Sequence, residues 1–320
     1  MSDSAAIAID LSAVVIAMEV ASPTVLVIRT ADGMSALPAG AFDPVSHATF
    51  EQGLRDWVAS QTGFELGYSE QLYTFGDLAR SHELFETPAA RHISIGYLGL
   101  TAARHTPAGM AAQWRSWYDF FPWEDYRQGR PALIDMALAP ALERWAAAAD
   151  SAATREARHQ RARLAFALNG ARWVDARVLE RYELLFEAGL VPEAQRNADS
   201  AANEALPVTG LEMMVDHRRI LATAMDRLRG KLRYRPVVFE LLPERFTLSR
   251  LQQTVEAIIG LAVHKQNFRR ALERTGLVVA TGDVDTATGG RPAERFRFCR
   301  EQWRQQMAPG VQTPLSHGEY

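Results

Sequence analysis

Apolar runs of strand length dominate the first hundred residues of the chain and predict a β-sheet. Residues 11–18 and 24–29 are rich in valine, isoleucine and leucine, with a short break between them, which is typical of two neighbouring strands. Shorter runs over 36–42, 70–75 and 92–100 predict further strands. The polar stretch between the last two runs is long enough to be a functional loop.

One predicted helix interrupts this series of strands. Apolar residues recur at positions 50, 54, 57 and 58, which is the i, i+4, i+7, i+8 spacing of an amphipathic helix. Thr49 is a suitable N-cap, and Gly63 stands where a C-cap glycine belongs. The pattern therefore predicts a helix over residues 49–61.

The middle of the chain has a helical pattern instead. Apolar residues at helical spacing predict one helix from Pro131 onwards and others over 153–168, 178–188 and 215–232. The segment 196–207 is polar and rich in alanine and asparagine, and we expect it to be a linker.

Seven aromatic residues lie between Trp114 and Tyr126, just before this helical region. One interpretation is a strand and turn that pack into a core or a subunit interface. The other is a platform on which a purine ring stacks. The sequence leaves both interpretations open.

Residues 247–298 have the order of elements of a winged helix-turn-helix. Thr247 can cap a first helix, and a second helix is predicted over 265–274. Two strand-like segments, 277–280 and 294–298, follow and are joined by a glycine-rich loop. A helix, a turn, a helix and a two-stranded wing form the winged-helix pattern.

The second of these helices reads the major groove in such a fold. If Phe268 and Leu272 face the core, the remaining polar side chains point outward, and the wing adds one arginine. The candidate DNA-binding residues are Lys265, Gln266, Asn267, Arg269, Arg270 and Arg291. The alternatives are a solvated arginine-rich helix, or a winged helix that binds RNA or another protein.

Charge is distributed unevenly along the chain. The net charge is −3, but the segment from Lys231 to Arg304 has 14 Lys/Arg and 8 Asp/Glu, a net +6. The rest of the chain therefore carries −9. A basic C-terminal module on an acidic body is the asymmetry expected of a nucleic-acid-binding protein.

Cysteine content and hydropathy limit the type of protein. The single cysteine, Cys299, excludes an intrachain disulfide and a cysteine-rich zinc site, and it is typical of a reducing compartment. No apolar run approaches the roughly 20 residues of a membrane-spanning helix. The first residues also lack the pattern of a secretory signal. We therefore expect a cytoplasmic protein with no membrane partner.

Four short motifs occur in order along the C-terminal part: RLRGKL at 227–232, FELLPE at 239–244, NFRR at 267–270 and GGRPA at 289–293. With these motifs the chain resembles the Nudix-related transcriptional regulators of NAD metabolism, of the NrtR type with its alphaproteobacterial branch. The first 125 residues resemble the same regulators more loosely, through motifs such as LPAGAF and SIGYL.

This resemblance implies an α+β fold with four parts. They are a Nudix-like α/β/α sandwich that binds the effector (1–128), a helical insert and linker (129–212), a connecting helix with a C-terminal winged helix-turn-helix (213–302), and a loose tail (303–320). The resemblance also implies a homodimer that binds double-stranded operator DNA. The expected function is a nucleotide-responsive transcriptional repressor of genes for NAD biosynthesis or salvage.

A working Nudix box, G-x5-E-x7-R-E-U-x-E-E-x-G-U, holds divalent metal ions through its glutamates. With Gly63 as the anchor, the Arg-Glu pair of the box falls on Asp56 and Trp57, and its two metal-binding glutamates fall on Ser60 and Gln61. Neither Ser nor Gln replaces a carboxylate as ligand of a hard cation. We therefore expect no catalytic residues and no metal site. The alternative is a Nudix hydrolase of an ADP-ribose-like diphosphate with an appended DNA-binding domain.

The resemblance places the effector between the sheet and the loop after residue 75. The candidate effector-binding residues are Tyr73, Asp77, Arg80 and Arg91. Arg91 matches a family arginine near the effector, and a guanidinium group can bind two phosphate groups through its forked donors. The expected effector is an adenine nucleotide, namely NAD, ADP-ribose or ATP, and no cofactor is required.

Overall fold

The computed structural model describes residues 7–76, 91–104, 111–196, 209–285 and 292–306. Its contacts divide the chain into a larger unit, residues 1–241 with 254–262, and a smaller unit, residues 242–253 with 263–320. The boundaries expected at residues 128 and 212 remain predictions.

A seven-stranded mixed sheet forms the base of the larger unit. Its strands are β1 (Ile7–Glu19), β2 (Ser22–Arg29), β3 (Ser35–Ala36), β4 (Ala39–Ala41), β5 (Tyr68–Phe75), β6 (Arg91–Leu100) and β7 (Ala112–Ser116). They follow the order β3-β2-β1-β6-β5, with β4 paired to β1 and β7 paired to β2. The predicted strands are confirmed, and the strand expected over 36–42 is divided into β3 and β4.

Strand β1 separates two layers of the larger unit, because successive side chains of a strand point to opposite faces. Leu11 and Val15 pack into a hydrophobic core with helix α1 (Phe50–Thr62). The opposite face, which includes Asp10, lies toward helix α7 (His217–Lys231). Helices on both faces of the sheet give the expected α/β/α sandwich.

Helix α1 begins and ends where its capping residues predict. The Thr49 hydroxyl accepts a hydrogen bond from the N–H of Gln52 at 3.1 Å. Gly63 ends the helix with a φ of 65°, and its N–H donates to the carbonyl of Ala59. Glycine adopts this left-handed conformation without the steric cost of a Cβ atom.

The helices that follow the sheet are α2 (Trp117–Phe120), α3 (Ala139–Ala147), α4 (Ala152–Ala165), α5 (Val178–Glu187) and α6 (Pro192–Arg196). A π-helical turn, Ile134–Leu138, precedes α3. Pro140 explains the wider turn, because it lacks an N–H and its ring clashes with the carbonyl four residues earlier. The helices predicted over 153–168, 178–188 and 215–232 are confirmed as α4, α5 and α7. After Arg196, the predicted linker lies outside the described residues.

The aromatic cluster belongs to the core of the larger unit. Trp117, Phe120, Phe121 and Trp123 are fully buried. The rings of Phe121 and Trp123 meet edge to face with centroids 5.8 Å apart. Packing into a core is therefore confirmed, and these four rings are closed to a stacking ligand.

The smaller unit has the winged-helix order of elements. Its strands are β8 (Phe246–Thr247), β9 (Val278–Asp285) and β10 (Ala293–Phe298). Its helices are α8 (Leu248–Ile259), α9 (Lys265–Thr275) and α10 (Arg300–Gln306). The second half of α8 belongs to the larger unit. The Thr247 hydroxyl accepts from the N–H of Arg250 at 3.1 Å, which confirms the predicted cap.

Two details of this unit differ from the sequence expectation. The sheet has three antiparallel strands in the order β8-β10-β9, so β8 adds a third strand to the two predicted ones. The expectation of a loose tail from residue 303 is wrong at its start, because α10 continues to Gln306. Trp303 is half-buried, and its N–H donates to the carbonyl of Cys299 at 3.2 Å. Residues 307–320 lie outside the described part of the chain. Among the described residues, no helix is long and apolar enough to cross a membrane.

Candidate functional site

A pocket of about 210 Å³ lies between the sheet and the start of α7 in the larger unit. Much of its lining is apolar and includes Leu37, Phe75 and Ile220. Several polar side chains also line it: Asp10, Ser12, Thr30, His92, Ser94, Asp216 and His217. An apolar pocket with a few converging polar groups is the usual form of a small-molecule site.

Asp10 places a buried carboxyl group on the wall of this pocket. The residue is 6% exposed. Its Oδ2 lies 3.4 Å from Nδ1 of His92, whereas its Oδ1 is buried with no hydrogen-bond partner among the described residues. Burial raises the pKa of Asp10, and the hydrogen bond and charge of His92 oppose that rise. Oδ1 of Asp10 is therefore a buried acceptor that the described residues leave without a partner.

The two serines are brought together by the parallel pairing of β1 with β6. The register sets Asp10 opposite Ser94 and Ser12 opposite Gly96. The hydroxyl oxygens of Ser12 and Ser94 are 3.3 Å apart. The same wall of the pocket therefore carries a carboxyl group and two hydroxyl groups.

His217, the first residue of α7, faces this wall with a neutral imidazole. Its Nδ1 accepts the N–H of Leu37 at 3.0 Å. Burial lowers the pKa of His217 from 6.5 to about 4. A neutral imidazole that accepts at Nδ1 carries its proton on Nε2. His217 thus offers one N–H donor, for which the described residues provide no partner.

The predicted effector residues have different positions relative to this pocket. Tyr73 is 60% exposed and does not line the pocket, although its ring lies 5.4 Å from that of Phe75, which does. Asp77 and Arg80 lie outside the described residues. Arg91 begins β6, directly before His92, and its side chain is not among those described.

The Nudix-box positions of α1 are occupied by side chains that bind the protein's own backbone. Oε1 of Gln61 accepts the N–H of Ala39 at 3.0 Å, and Nε2 of Gln61 donates to the carbonyl of Ala39 at 2.7 Å. The hydroxyl of Ser60 donates to the carbonyl of Trp57 at 3.1 Å. Gln61 thus ties α1 to β4, and Ser60 bonds within its own helix, at the positions where a working box would hold metal ions.

Trp57 fills the space between α1 and the strand before it. Its Nε1 donates to the carbonyl of Ala41 at 2.9 Å. Its indole ring lies so close to Gly40 that a Cβ atom at that position would be 2.2 Å from the ring. Residue 40 must therefore be glycine as long as the indole occupies this place.

The remaining acidic residue in the first turn of α1 is already paired. Glu51 accepts hydrogen bonds from Arg55 and from Ser69, both at 2.8 Å. These bonds, that of Arg55 first, lower the pKa of Glu51. Within the described ranges, no three His, Cys, Asp or Glu side chains are grouped to hold a metal ion. The residues at the box positions thus do not fit the divalent metal of a Nudix enzyme.

Helix α9 presents a polar face to solvent. Phe268 and Leu272 are half-buried, as predicted. The exposed residues of its first turns are Lys265, Gln266, Asn267, Arg269 and Arg270, none of which has an ion pair in the described part of the chain. Their assignment as DNA contacts remains a prediction. Arg291, the predicted wing residue, lies outside the described residues.

A second group of buried polar residues lies at the other end of α7. Glu124 is fully buried and accepts from Arg181 at 2.5 and 2.8 Å and from Arg229 at 2.5 Å. The guanidinium of Arg181 also lies 3.9 Å from the centre of the Trp173 ring. Burial acts to raise the pKa of Glu124, but the two arginines outweigh it, so that the pKa is lowered. We call Glu124, Arg181 and Arg229 the Glu124 cluster.

Sequence reasoning missed the polar residues of the pocket. Asp10 and Ser12 were a visible signal, because they are spaced by two at the edge of an apolar strand. His217 lies ten residues before the motif RLRGKL, and no local pattern connects it with Asp10.

Comparison with known proteins supports the fold. Residues 238–298 match the family model of the NrtR DNA-binding winged helix domain. The ADPR responsive transcriptional repressor NtrR of Acinetobacter baylyi is 34% identical over 107 residues, which are 33% of this chain and 42% of that protein. The chain thus matches less than half of the length of this relative.

Two solved structures have a similar fold over most of the chain. NrtR of Shewanella oneidensis, in complex with a 27mer DNA, has a TM-score of 0.53 at 18% identity and covers 92% of this chain and 94% of its own. A MutT/nudix family protein of Enterococcus faecalis has a TM-score of 0.51 at 13% identity, covering 93% and 89%. The chain therefore has the Nudix-like and winged-helix fold of the NrtR type, with an NrtR DNA-binding winged helix domain at residues 238–298.

Proposed function

We propose that this protein is a nucleotide-responsive transcriptional repressor of genes for NAD biosynthesis or salvage, with ADP-ribose as its effector. The observation that carries the proposal is that one chain combines an NrtR winged helix with a polar pocket in a Nudix-like unit. The name of the Acinetobacter relative, an ADPR responsive repressor, favours ADP-ribose over NAD and ATP.

In the proposed repressor, α9 reads the operator. The charged groups of Lys265 and Arg269 can meet phosphates. The side chains of Gln266, Asn267 and Arg270 can bond base edges. Arg291, predicted from the sequence to lie in the wing, is assigned a contact to the adjacent DNA backbone. A helix-turn-helix protein reads two half-sites as a dimer, so we include a homodimer in the proposal.

In the same proposal, the Nudix-like unit binds the effector without cleaving it. Support comes from α1, where Gln61 and Trp57 bond the backbone of the preceding strand. A diphosphate could be held by Arg80 and Arg91, which belong to the segment between two pocket residues, Phe75 and His92. Incubation of the pure protein with ADP-ribose and magnesium or manganese tests this part. A turnover of about 1 per second or more, within the normal enzyme range, would favour the hydrolase instead.

The central experiment measures coupling between the two units. Fluorescence anisotropy on the protein's own neighbouring promoter gives the operator affinity while ADP-ribose, NAD or ATP is titrated. We expect ADP-ribose to change that affinity by about 5–150-fold, and linkage requires operator DNA to change the ADP-ribose affinity by the same factor. Equal ADP-ribose affinity with and without operator would contradict the proposal.

Single substitutions test the DNA-contacting face. Asn267→Ala and Arg270→Ala should each weaken operator binding by about 1–3 kcal/mol, because each removes a base contact. Arg155→Ala is the matched control, since Arg155 is an exposed arginine of α4. Operator binding like that of the unchanged protein in both α9 variants would exclude α9 as the reading helix.

A further inference from the structure

The pocket between β1, β6 and α7 has a charge that does not suit a phosphate group. None of the described residues that line it is arginine or lysine. Its charged wall residue next to the serines is Asp10, whose carboxylate repels phosphate oxygens in a low-dielectric site. The described lining thus offers no cation for a diphosphate, and its polar groups suit another part of the ligand.

The polar groups of the pocket instead match hydroxyl groups, which both donate and accept hydrogen bonds. Oδ1 of Asp10 is a buried acceptor without a partner among the described residues. Nε2–H of His217 is a donor, and the hydroxyls of Ser12 and Ser94 can act in either role. Phe75 is the one carbocyclic aromatic ring among the described lining residues, so a flat stacking slot for a purine is not formed here.

We propose that this pocket is a subsite for a ribose-like polyol, in which Oδ1 of Asp10 accepts from a ligand hydroxyl and Nε2–H of His217 donates to a ligand oxygen. This inference rests on the proposed function, and it specifies which part of the effector the pocket recognises. A nucleotide with a free second ribose fills the subsite, whereas a nucleotide that ends at its diphosphate leaves it empty.

His217 gives the subsite a second property. It is the first residue of α7, whereas Asp10 is a sheet residue. A hydroxylated ligand that bonds both side chains therefore links α7 to the sheet. Ligand binding in the subsite therefore acts on α7 directly, with no other element between the ligand and the helix.

Calorimetry on the full chain with two probes, ADP-ribose and ADP, tests the subsite. The unchanged protein should bind ADP-ribose at least about 10-fold more tightly than ADP, because hydrogen bonds to a charged group are the strong ones. Asp10→Asn should lower the affinity for ADP-ribose about 10-fold and leave that for ADP unchanged. Asp150→Asn, an exposed aspartate in the turn before α4, is the control and should change neither affinity.

A second measurement follows His217 directly. In a spectrum of the imidazole nitrogens, Nε2 of His217 should shift when ADP-ribose is added and should not shift with ADP. His217→Asn, which keeps an acceptor for Leu37, should lose most of the preference for ADP-ribose. Thermal unfolding of each variant verifies that it is folded.

The outcomes separate the subsite from the function. If ADP-ribose binds and changes operator affinity, but Asp10→Asn weakens ADP equally, the pocket holds the base and the polyol subsite is overturned. If Asp10→Asn changes neither ligand, the subsite is likewise overturned while the repressor function stands. If ADP-ribose neither binds nor affects operator binding, the proposed function fails and the subsite fails with it.

Discussion

The two ends of α7 carry buried polar side chains in opposite environments. At the C-terminal end, Arg229 meets Glu124, and both oxygens of that carboxylate are bonded to guanidinium groups. At the N-terminal end, His217 faces a pocket in which Asp10 keeps an oxygen without a partner among the described residues. The carboxylate at the C-terminal end has both oxygens bonded, although Nη2 of Arg229 has no partner among the described residues. The carboxylate at the N-terminal end keeps one oxygen without such a partner.

This difference separates a stabilising role from a binding role. A buried carboxylate with its charges paired fixes the elements around it, and removing one partner is costly. A buried carboxyl oxygen without a partner lowers stability, and such sites persist where binding requires them. The change in unfolding free energy caused by substitutions at the two ends should therefore differ in sign as well as in size.

The largest effect is expected at the Glu124 cluster. Glu124→Gln removes the negative charge and leaves Arg181 and Arg229 buried without it, which should cost about 3–5 kcal/mol of unfolding free energy. Urea denaturation of the full chain measures this loss. A loss below about 1 kcal/mol would show that the cluster does not hold the elements together.

The next effect concerns pH and the other end of α7. Because the pKa of His217 is lowered from 6.5 to about 4, the unfolded chain binds more protons than the folded one between those values. This residue alone should remove about 3 kcal/mol of stability as the pH falls from 6.5 to 4. The raised pKa of Asp10 acts in the opposite direction. His217→Asn should flatten the decline, and an unchanged pH profile would mean that His217 titrates normally.

A smaller effect of opposite sign is expected for Asp10→Asn. Removal of a buried charge with an unpartnered oxygen should raise stability by about 1 kcal/mol at pH 7. The gain should shrink as the pH falls through the raised pKa of Asp10, because the protonated residue no longer carries the charge. Thermal unfolding at neutral and acidic pH checks both points. Destabilisation at pH 7 would indicate that Asp10 is structural.

The smallest effect is expected at an exposed ion pair. Arg161 and Glu187 meet at 2.5 Å, but their side chains are 48% and 47% exposed. Glu187→Gln should change stability by less than about 1 kcal/mol, since water and salt screen such pairs. This variant calibrates the same substitution in Glu124. A comparable loss of stability in Glu187→Gln and Glu124→Gln would show that burial does not explain the large effect at Glu124.

Local signals in the sequence predicted the elements of the fold well. Thr49, Gly63 and Thr247 act within one turn of helix, so their capping roles are readable from neighbouring residues and are confirmed. Strand β8 has two residues and exists through pairing with β10, far along the chain. Such a strand has no local pattern of its own.

The candidate site was predictable only in part, for the same reason. The loss of the box glutamates is visible in the sequence, and the outward face of α9 follows from helical spacing around Phe268. The subsite combines Asp10 of the first strand with His217, which folding brings together over two hundred residues. One oxygen of Asp10 is buried and has no partner among the described residues. A sequence pattern does not show whether a single atom is buried.

The indole of Trp57 above Gly40 makes α1 intolerant of substitution at the box positions. A glutamate at position 61 would lose the amide that bonds Ala39 in both directions, and a smaller residue at position 57 would leave a void over Gly40. Each first step toward a carboxylate-rich helix loses packing or hydrogen bonds before a metal ligand is gained. A change of α1 toward a carboxylate-rich helix therefore lowers stability before it adds a metal ligand.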